Sequence, residues 1–293
     1  MRLPIIIVLA LSLAACSSGP ARIDAGSSTP GSGQAGVTKS RGPASERPEL
    51  QETTPSTSFD PAAGTDVWQR IRAGLTLQRH TSQSVVQERL AFYARKQEFL
   101  DRVAERARPY LYYIVEELDK RNLPTELALL PIVESAYQPF AYSRSRASGI
   151  WQFIPSTGVR YGLKQNWWYD GRRDIVEATR AALDYLQKLN AEFSGDWMLA
   201  LAAYNAGELN VQRAIDQNRK AGRATDFFSL PLPRETRGYV PSLLAVCELL
   251  ANAERHNAHW QPIPNQPYFN IAQIEGQVDL ATAAKLANLS REE

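Results

Sequence analysis

From Val67 onward the apolar residues of this chain recur at helical spacing, and strand-like alternation is almost absent. A helix buries a stripe at a period of 3.6 residues and a strand buries a face at a period of two, so the pattern predicts an all-α (mainly α) body. Val86, Leu90, Tyr93, Leu100 and Val103 fall near one stripe of a single long helix, with charges elsewhere. Pro109 stands where a second helix, Tyr110 to Lys120, would begin, and Pro124 can open a third that runs to Glu134. Asp174 can cap a helix through Leu189, and Gly195-Asp196 precedes another that reaches Tyr204 and stops near Gly207. Glu208 to Asn218 reads as a short helix and Glu235 to Glu254 as a long one. Roughly 200 residues organised in this way can bury a proper core.

The chain ahead of this body is of another kind. Arg2, an apolar run from Leu3 to Ala14 and the small residues Ala14-Ala15 describe a secretory signal peptide over residues 1–15. The run is too short to span a bilayer, and a buried N-terminal helix is the alternative. Leu13-Ala14-Ala15-Cys16 resembles the lipobox of bacterial lipoproteins, which implies a lipidated Cys16 at the mature N-terminus. Ser17 follows in place of Asp, so the same resemblance points to the periplasmic face of the outer membrane. Residues 17–65 hold seven Gly, six Pro, nine Ser and six Thr with Phe59 as the only aromatic, too little apolar surface to offset chain entropy. Residues 16–65 are therefore expected to be a disordered tether on the lipid anchor.

Charge and cysteine count exclude several functions. Lys and Arg number 33 against 31 Asp and Glu, so the basic excess that draws a protein to nucleic acid is missing. Cys16 and Cys247 cannot build a disulfide framework or a four-thiolate zinc site, and Cys247, in Ser242–Leu250, reads as core. Three histidines are too few for a rich metal centre, and His256-x-x-His259 reads as surface. No metal and no cofactor are called for.

The chemistry is expected in the third helix. In Ala128-Leu-Leu-Pro-Ile-Val-Glu-Ser-Ala-Tyr137 a single carboxylate, Glu134, follows a run of apolar residues. Loss of hydration disfavours its charged form and raises its pKa, which lets a carboxylic acid donate a proton near neutral pH. Ser135 beside it reads as helix-supporting. Ser143 to Thr157 is then dense in hydroxyls, glycine and aromatics, as a cleft-lining loop would be. Further on come Leu201-Ala-Ala-Tyr-Asn-Ala-Gly-Glu208 and Leu230-Pro-Leu-Pro-Arg-Glu-Thr-Arg-Gly-Tyr-Val240.

These four blocks, in this order, resemble the lytic transglycosylases of glycoside hydrolase family 23, and the likeness runs from about Val67 to about Leu289. The resemblance implies a lysozyme-like SLT domain over residues 124–260, preceded by an N-terminal helical extension over 66–123. It implies Glu134 as the catalytic residue, Ser143 as a serine orienting the sugar, and Gln152 of Gly149-Ile-Trp-Gln152 as a cleft residue. Tyr204 and Asn205 match a Tyr-Asn pair whose tyrosine hydroxyl lies near the carboxylate, and Glu235 and Tyr239 match the last block. Many relatives carry Met at the position of Trp151. Gln152 and Asn205 could equally tie loops together, and Tyr239 could be plain core.

The implied reaction cuts the β-1,4 bond between N-acetylmuramic acid and N-acetylglucosamine in peptidoglycan without water, leaving 1,6-anhydro ends. That would make the chain a carbon–oxygen lyase whose partners are glycan strands and, through Cys16, a membrane. A lysozyme-like muramidase and a non-catalytic glycan-binding lipoprotein are the alternatives. Tyr161, Trp167, Trp168 and Tyr169 could stack on sugars, and Arg144, Arg146, Arg172 and Arg173 could meet stem-peptide carboxylates. Residues 261–293 read as an extended linker, a helix from Leu280 to Ala287 and the start of a LysM-like region, with the chain truncated relative to its relatives.

Overall fold

The computed structural model describes residues 65–271 and 279–287. The signal segment, Cys16 and all but the last residue of the tether fall outside that range. The described residues form eleven α-helices joined by short turns, with no strand, only isolated bridges. No helix among them is long and apolar enough to cross a membrane.

Helix α1 (Val67–Ala73) starts at Asp66, whose carboxylate accepts from the Trp68 amide. The stripe from Val86 to Val103 is split between α2 (Ser84–Ala94) and α3 (Gln97–Ala107), where a single helix was expected. The break at Arg95-Lys96 uses neither glycine nor proline. The Lys96 carbonyl accepts from the amides of Phe99 and Leu100 and so starts the next helix. Tertiary packing overrides helix propensity here: α2 lies along the C-terminal helix α10 (Arg234–Ala251), and Val86 and Val103 are both buried on either side of the break.

Helix α4 (Leu111–Lys120) follows the prediction to within a residue. The third expected helix is instead a 3-10 segment, Thr125–Leu129, followed by the short α5 (Leu130–Ser135). Pro131 is the reason. It brings no amide to the helix ladder and its ring crowds the carbonyl four residues earlier, so α-type bonding cannot run through it. Helix α5 stops at Ala136 and Tyr137, both left-handed (φ 51° and 57°), where Ala and Tyr carry strain. The fully buried Tyr137 ring holds them there, with its hydroxyl donating to the Ala128 carbonyl at 2.5 Å.

After the short α6 (Pro155–Arg160), α7 (Ile175–Glu192) and α8 (Trp197–Ala206) are capped by Asp174 and Asp196 as expected. Gly207, at φ 86°, ends α8 and opens α9 (Glu208–Lys220). One continuous apolar core runs from Val67 to Ile263 and contains the helices on both sides of residue 124. Cys247 is a buried free thiol within it. The segment 261–265, expected as a linker, packs back on α1. Val67 N donates to the Ile263 carbonyl at 2.9 Å, Asn265 N to Thr65 at 3.1 Å, and the Trp68 indole to Gln261 at 3.0 Å. Helix α11 (Leu280–Ala287) has the predicted bounds.

Candidate active site

Glu134 sits on the last turn of α5, and α10 packs against both α5 and α8 beside it. The residue is partly exposed, yet its carboxylate is enclosed by protein. Burial raises its pKa from an ordinary 4.5 to about 7, the charge of Glu235 adds to the rise, and a hydrogen bond from Tyr239 opposes it. The Tyr239 hydroxyl donates to Glu134 Oε1 from a ring that is itself buried. Glu235 is exposed on the first turn of α10, one helical turn before Tyr239. Near neutral pH the acid is thus poised between its two forms, as a group that gives and then takes a proton requires.

Tyr204, expected beside the carboxylate, donates its hydroxyl to the Trp151 carbonyl at 2.9 Å. It still lies within the field of Glu134, since burial and then that charge push its pKa well above the ordinary value. Its ring stacks 5.3 Å from Tyr185, which in turn lies 4.9 Å from Tyr161. Tyr161 therefore belongs to an internal aromatic stack. The Tyr185 hydroxyl donates to Glu208 at 3.0 Å, and Lys188 and Arg160 reach the same carboxylate.

The segment 141–153 forms a tight loop on the other side. Gly149 takes φ 80°, and a Cβ there would lie 1.9 Å from the Arg172 carbonyl oxygen, so only glycine fits. Gln152, also left-handed at φ 50°, donates its amide to the carbonyls of Gly149 (2.8 Å) and Ala141 (3.4 Å). Ser143 Oγ accepts from the Ala147 amide at 3.0 Å and meets Ser145 Oγ at 2.8 Å. Asn205 accepts from the Thr236 hydroxyl at 2.9 Å and so links α8 to α10. Gln152 and Ser143 hold backbone here and Asn205 joins two helices, while Tyr239 and Glu235 act on Glu134 and Tyr204 lies within its field.

Ser135, read as helix-supporting, and Thr236, which the sequence did not single out, also serve the site. Ser135 Oγ donates to the Ile150 carbonyl at 2.9 Å, fastening the loop to α5, and Thr236 holds Asn205. The position of Thr236 inside the last block was the only signal for it. Arg172, expected to face substrate, is buried instead. It grips both oxygens of Asp170 (2.9 and 2.8 Å) and donates to the carbonyls of Arg146 (2.6 Å) and Phe153 (3.1 Å). A buried guanidinium needs this full set of acceptors. His256, read as surface, is half-buried against Glu248 at 3.3 Å. Among the described residues no cluster of His, Cys, Asp and Glu could hold a metal ion.

In this helical body, with one enclosed acid between α5, α8 and α10, residues 112–227 match the family model of the transglycosylase SLT domain. Glu134, Ser143, Gln152, Tyr204 and Asn205 lie inside the match, and Glu235 and Tyr239 lie beyond it. The chain is 46% identical over 205 residues to membrane-bound lytic murein transglycosylase D of Escherichia coli strain K12, which covers 70% of this chain and 45% of that one. The protein of the same name from Escherichia coli O6:H1 matches with the same figures. The chain thus spans less than half the length of these curated relatives. A solved structure of an inactive variant of lytic transglycosylase Slt from Pseudomonas aeruginosa is 27% identical, with a TM-score of 0.39 over 52% of this chain and 25% of that one.

Proposed function

We propose that this chain is a peptidoglycan lytic transglycosylase in which Glu134 serves first as acid and then as base. The observation that carries the reading is the enclosed Glu134 carboxylate, raised to about 7 and hydrogen-bonded by Tyr239, inside an SLT domain. Protonated Glu134 gives its proton to the oxygen of the N-acetylmuramic acid β-1,4 bond as that bond breaks. Charge developing at the anomeric carbon is met by the sugar's own acetamido group. Glu134, now a carboxylate, takes the proton of the sugar's 6-hydroxyl, whose oxygen closes on the anomeric carbon to give the 1,6-anhydro ring. Such an intramolecular nucleophile gains from proximity. It removes the need for the second carboxylate that ordinary glycosidases hold about 5–5.5 Å or about 6.5–9.5 Å from the first.

Burial raises the acid so that it is protonated when the substrate arrives, and the Tyr239 hydroxyl steadies the carboxylate formed after the first transfer. The names of the two Escherichia coli relatives support murein as substrate and a place in the bacterial envelope. Anchorage through a lipidated Cys16 to the outer membrane, with residues 16–65 as tether, completes the proposal. Mass spectrometry of digested sacculi is the test. Anhydro ends are expected from the wild type and none from Glu134→Gln, which keeps its glycan binding. Reducing ends would mean hydrolysis, and turnover by Glu134→Gln within about tenfold of wild type would remove Glu134 from the reaction.

A further inference from the structure

Trp167 and Trp168 are 89% and 90% exposed, side by side on one turn. That turn is internally braced. Gln165 and Asp170 form an antiparallel bridge, Asn166 N donates to the Tyr169 carbonyl at 2.9 Å, and Asn166 Oδ1 accepts from the amides of Trp168 and Tyr169. Gly171 N closes its base onto the Lys164 carbonyl at 2.8 Å. A turn braced in this way presents its two indoles to water, and paired exposed aromatics of this kind mark interaction sites.

The turn walls an open hollow of about 420 Å³ with its three aromatic rings, and Asn166, Arg173 and Asp174 supply the polar lining. Its carboxylates are already engaged. Asp170 is gripped by Arg172, and Asp174 caps α7 while accepting from the Tyr169 hydroxyl at 2.9 Å. Arg173 donates its Nε to Ser148 at 3.0 Å and is 40% exposed. The turn is also tied to the candidate active site, because Arg172 and Arg173 fasten it to the 141–153 loop that carries Ser143 and Gln152.

We propose that this turn is a second glycan-binding site, which takes sugar units of a peptidoglycan strand remote from the bond held at Glu134. Flat apolar rings beside an amide and a guanidinium suit the ligand: ring faces of sugars on the indoles, hydroxyl, acetamido and carboxylate groups on Asn166 and Arg173. A bilayer would cover the charged lining along with the rings and leave it without water. The inference rests on the reading of the chain as a peptidoglycan-acting protein, and it predicts that long strands are held better than short ones.

The test is co-sedimentation of the full chain with purified sacculi, with Glu134→Gln as background so that nothing is cut. Adding Trp167→Ala and Trp168→Ala together is expected to lower sacculus affinity about tenfold, whereas two Phe replacements retain it within about threefold. Affinity for a tetrasaccharide that fills only the sugars around Glu134 stays unchanged, and so does the thermal midpoint. Unchanged sacculus binding by the Ala pair overturns the proposal, as does an equal loss on the tetrasaccharide. Loss of binding to phosphatidylglycerol vesicles with sacculus binding intact overturns it in favour of a lipid surface. The activity reading fails separately, through absence of anhydro ends from wild-type digests.

Discussion

Replacing Tyr239 by Phe keeps a buried ring and removes one hydroxyl, the donor to Glu134 Oε1. That bond favours the carboxylate and opposes the burial and the Glu235 charge that together hold the acid at about 7. A hydrogen bond to a charged group contributes about 1.5–3 kcal/mol, and one pKa unit corresponds to about 1.36 kcal/mol. Its loss therefore moves Glu134 up by about one to two units, to between about 8 and about 9. The leaving oxygen receives its proton from Glu134 only while that group is protonated, so wild-type kcat/KM falls as pH rises through about 7. In Tyr239→Phe this alkaline limb moves up by the same one to two units. The profile is read as release of anhydro-ended fragments from sacculi between about pH 5 and about pH 10 at constant ionic strength. Tyr204→Phe is the control, because that hydroxyl serves the Trp151 carbonyl and its loss leaves the limb near its wild-type position. A limb that stays in place in Tyr239→Phe, or moves to lower pH, refutes the assignment of Tyr239 as the group that tunes Glu134.

Glu134 also couples stability to pH. Its pKa is higher folded than unfolded, so the folded state loses stability as pH rises from about 4.5 to about 7, by about 3 kcal/mol in all. Calorimetry should find Glu134→Gln more stable than wild type by up to that amount at about pH 8 and equal at about pH 4, and a less stable variant at pH 8 contradicts the burial argument. Gly149→Ala forces a Cβ against the Arg172 carbonyl at a left-handed position, and denaturant titration should show a loss of about 3 kcal/mol or more together with loss of activity. Arg172→Lys keeps the charge but not the fork on Asp170. A cost of about 3 kcal/mol in denaturant titration is expected, with a rise in KM as the 141–153 loop loosens.

How much of this was legible depended on the kind of interaction. Helix starts at Asp174 and Asp196 could be read directly, because a capping carboxylate is a local device. Glu134 stood out as the acid behind the apolar run of the first motif block. The break at Arg95-Lys96 left no mark, since both residues are good helix formers and the cause lies in how α2 meets α10. The left-handed pair Ala136-Tyr137 was equally hidden: it is held by a tyrosine hydroxyl reaching back nine residues. Which tyrosine serves the acid was also not local. Tyr204 and Tyr239 both stood in recognisable blocks, and the packing of α10 on α5 decided that Tyr239 would make the bond. Arg172 looked like its neighbour Arg173, and only the fold drew one inward and left the other out.

The pairing of residues 65–67 with 263–265 has a mechanical consequence. Asp66 and Pro264 run antiparallel, so the chain enters and leaves the helical body at one point. A pull applied upstream of residue 65 and another downstream of residue 265 meet across the bonds from Asn265 to Thr65 and from Val67 to Ile263. The load passes through that clasp, with the Trp68 and Trp260 rings 4.8 Å apart beneath it, and not through the contacts among α5, α8 and α10. A body pulled by these two ends would thus keep the alignment of Glu134 and Tyr239 until the clasp itself gave way.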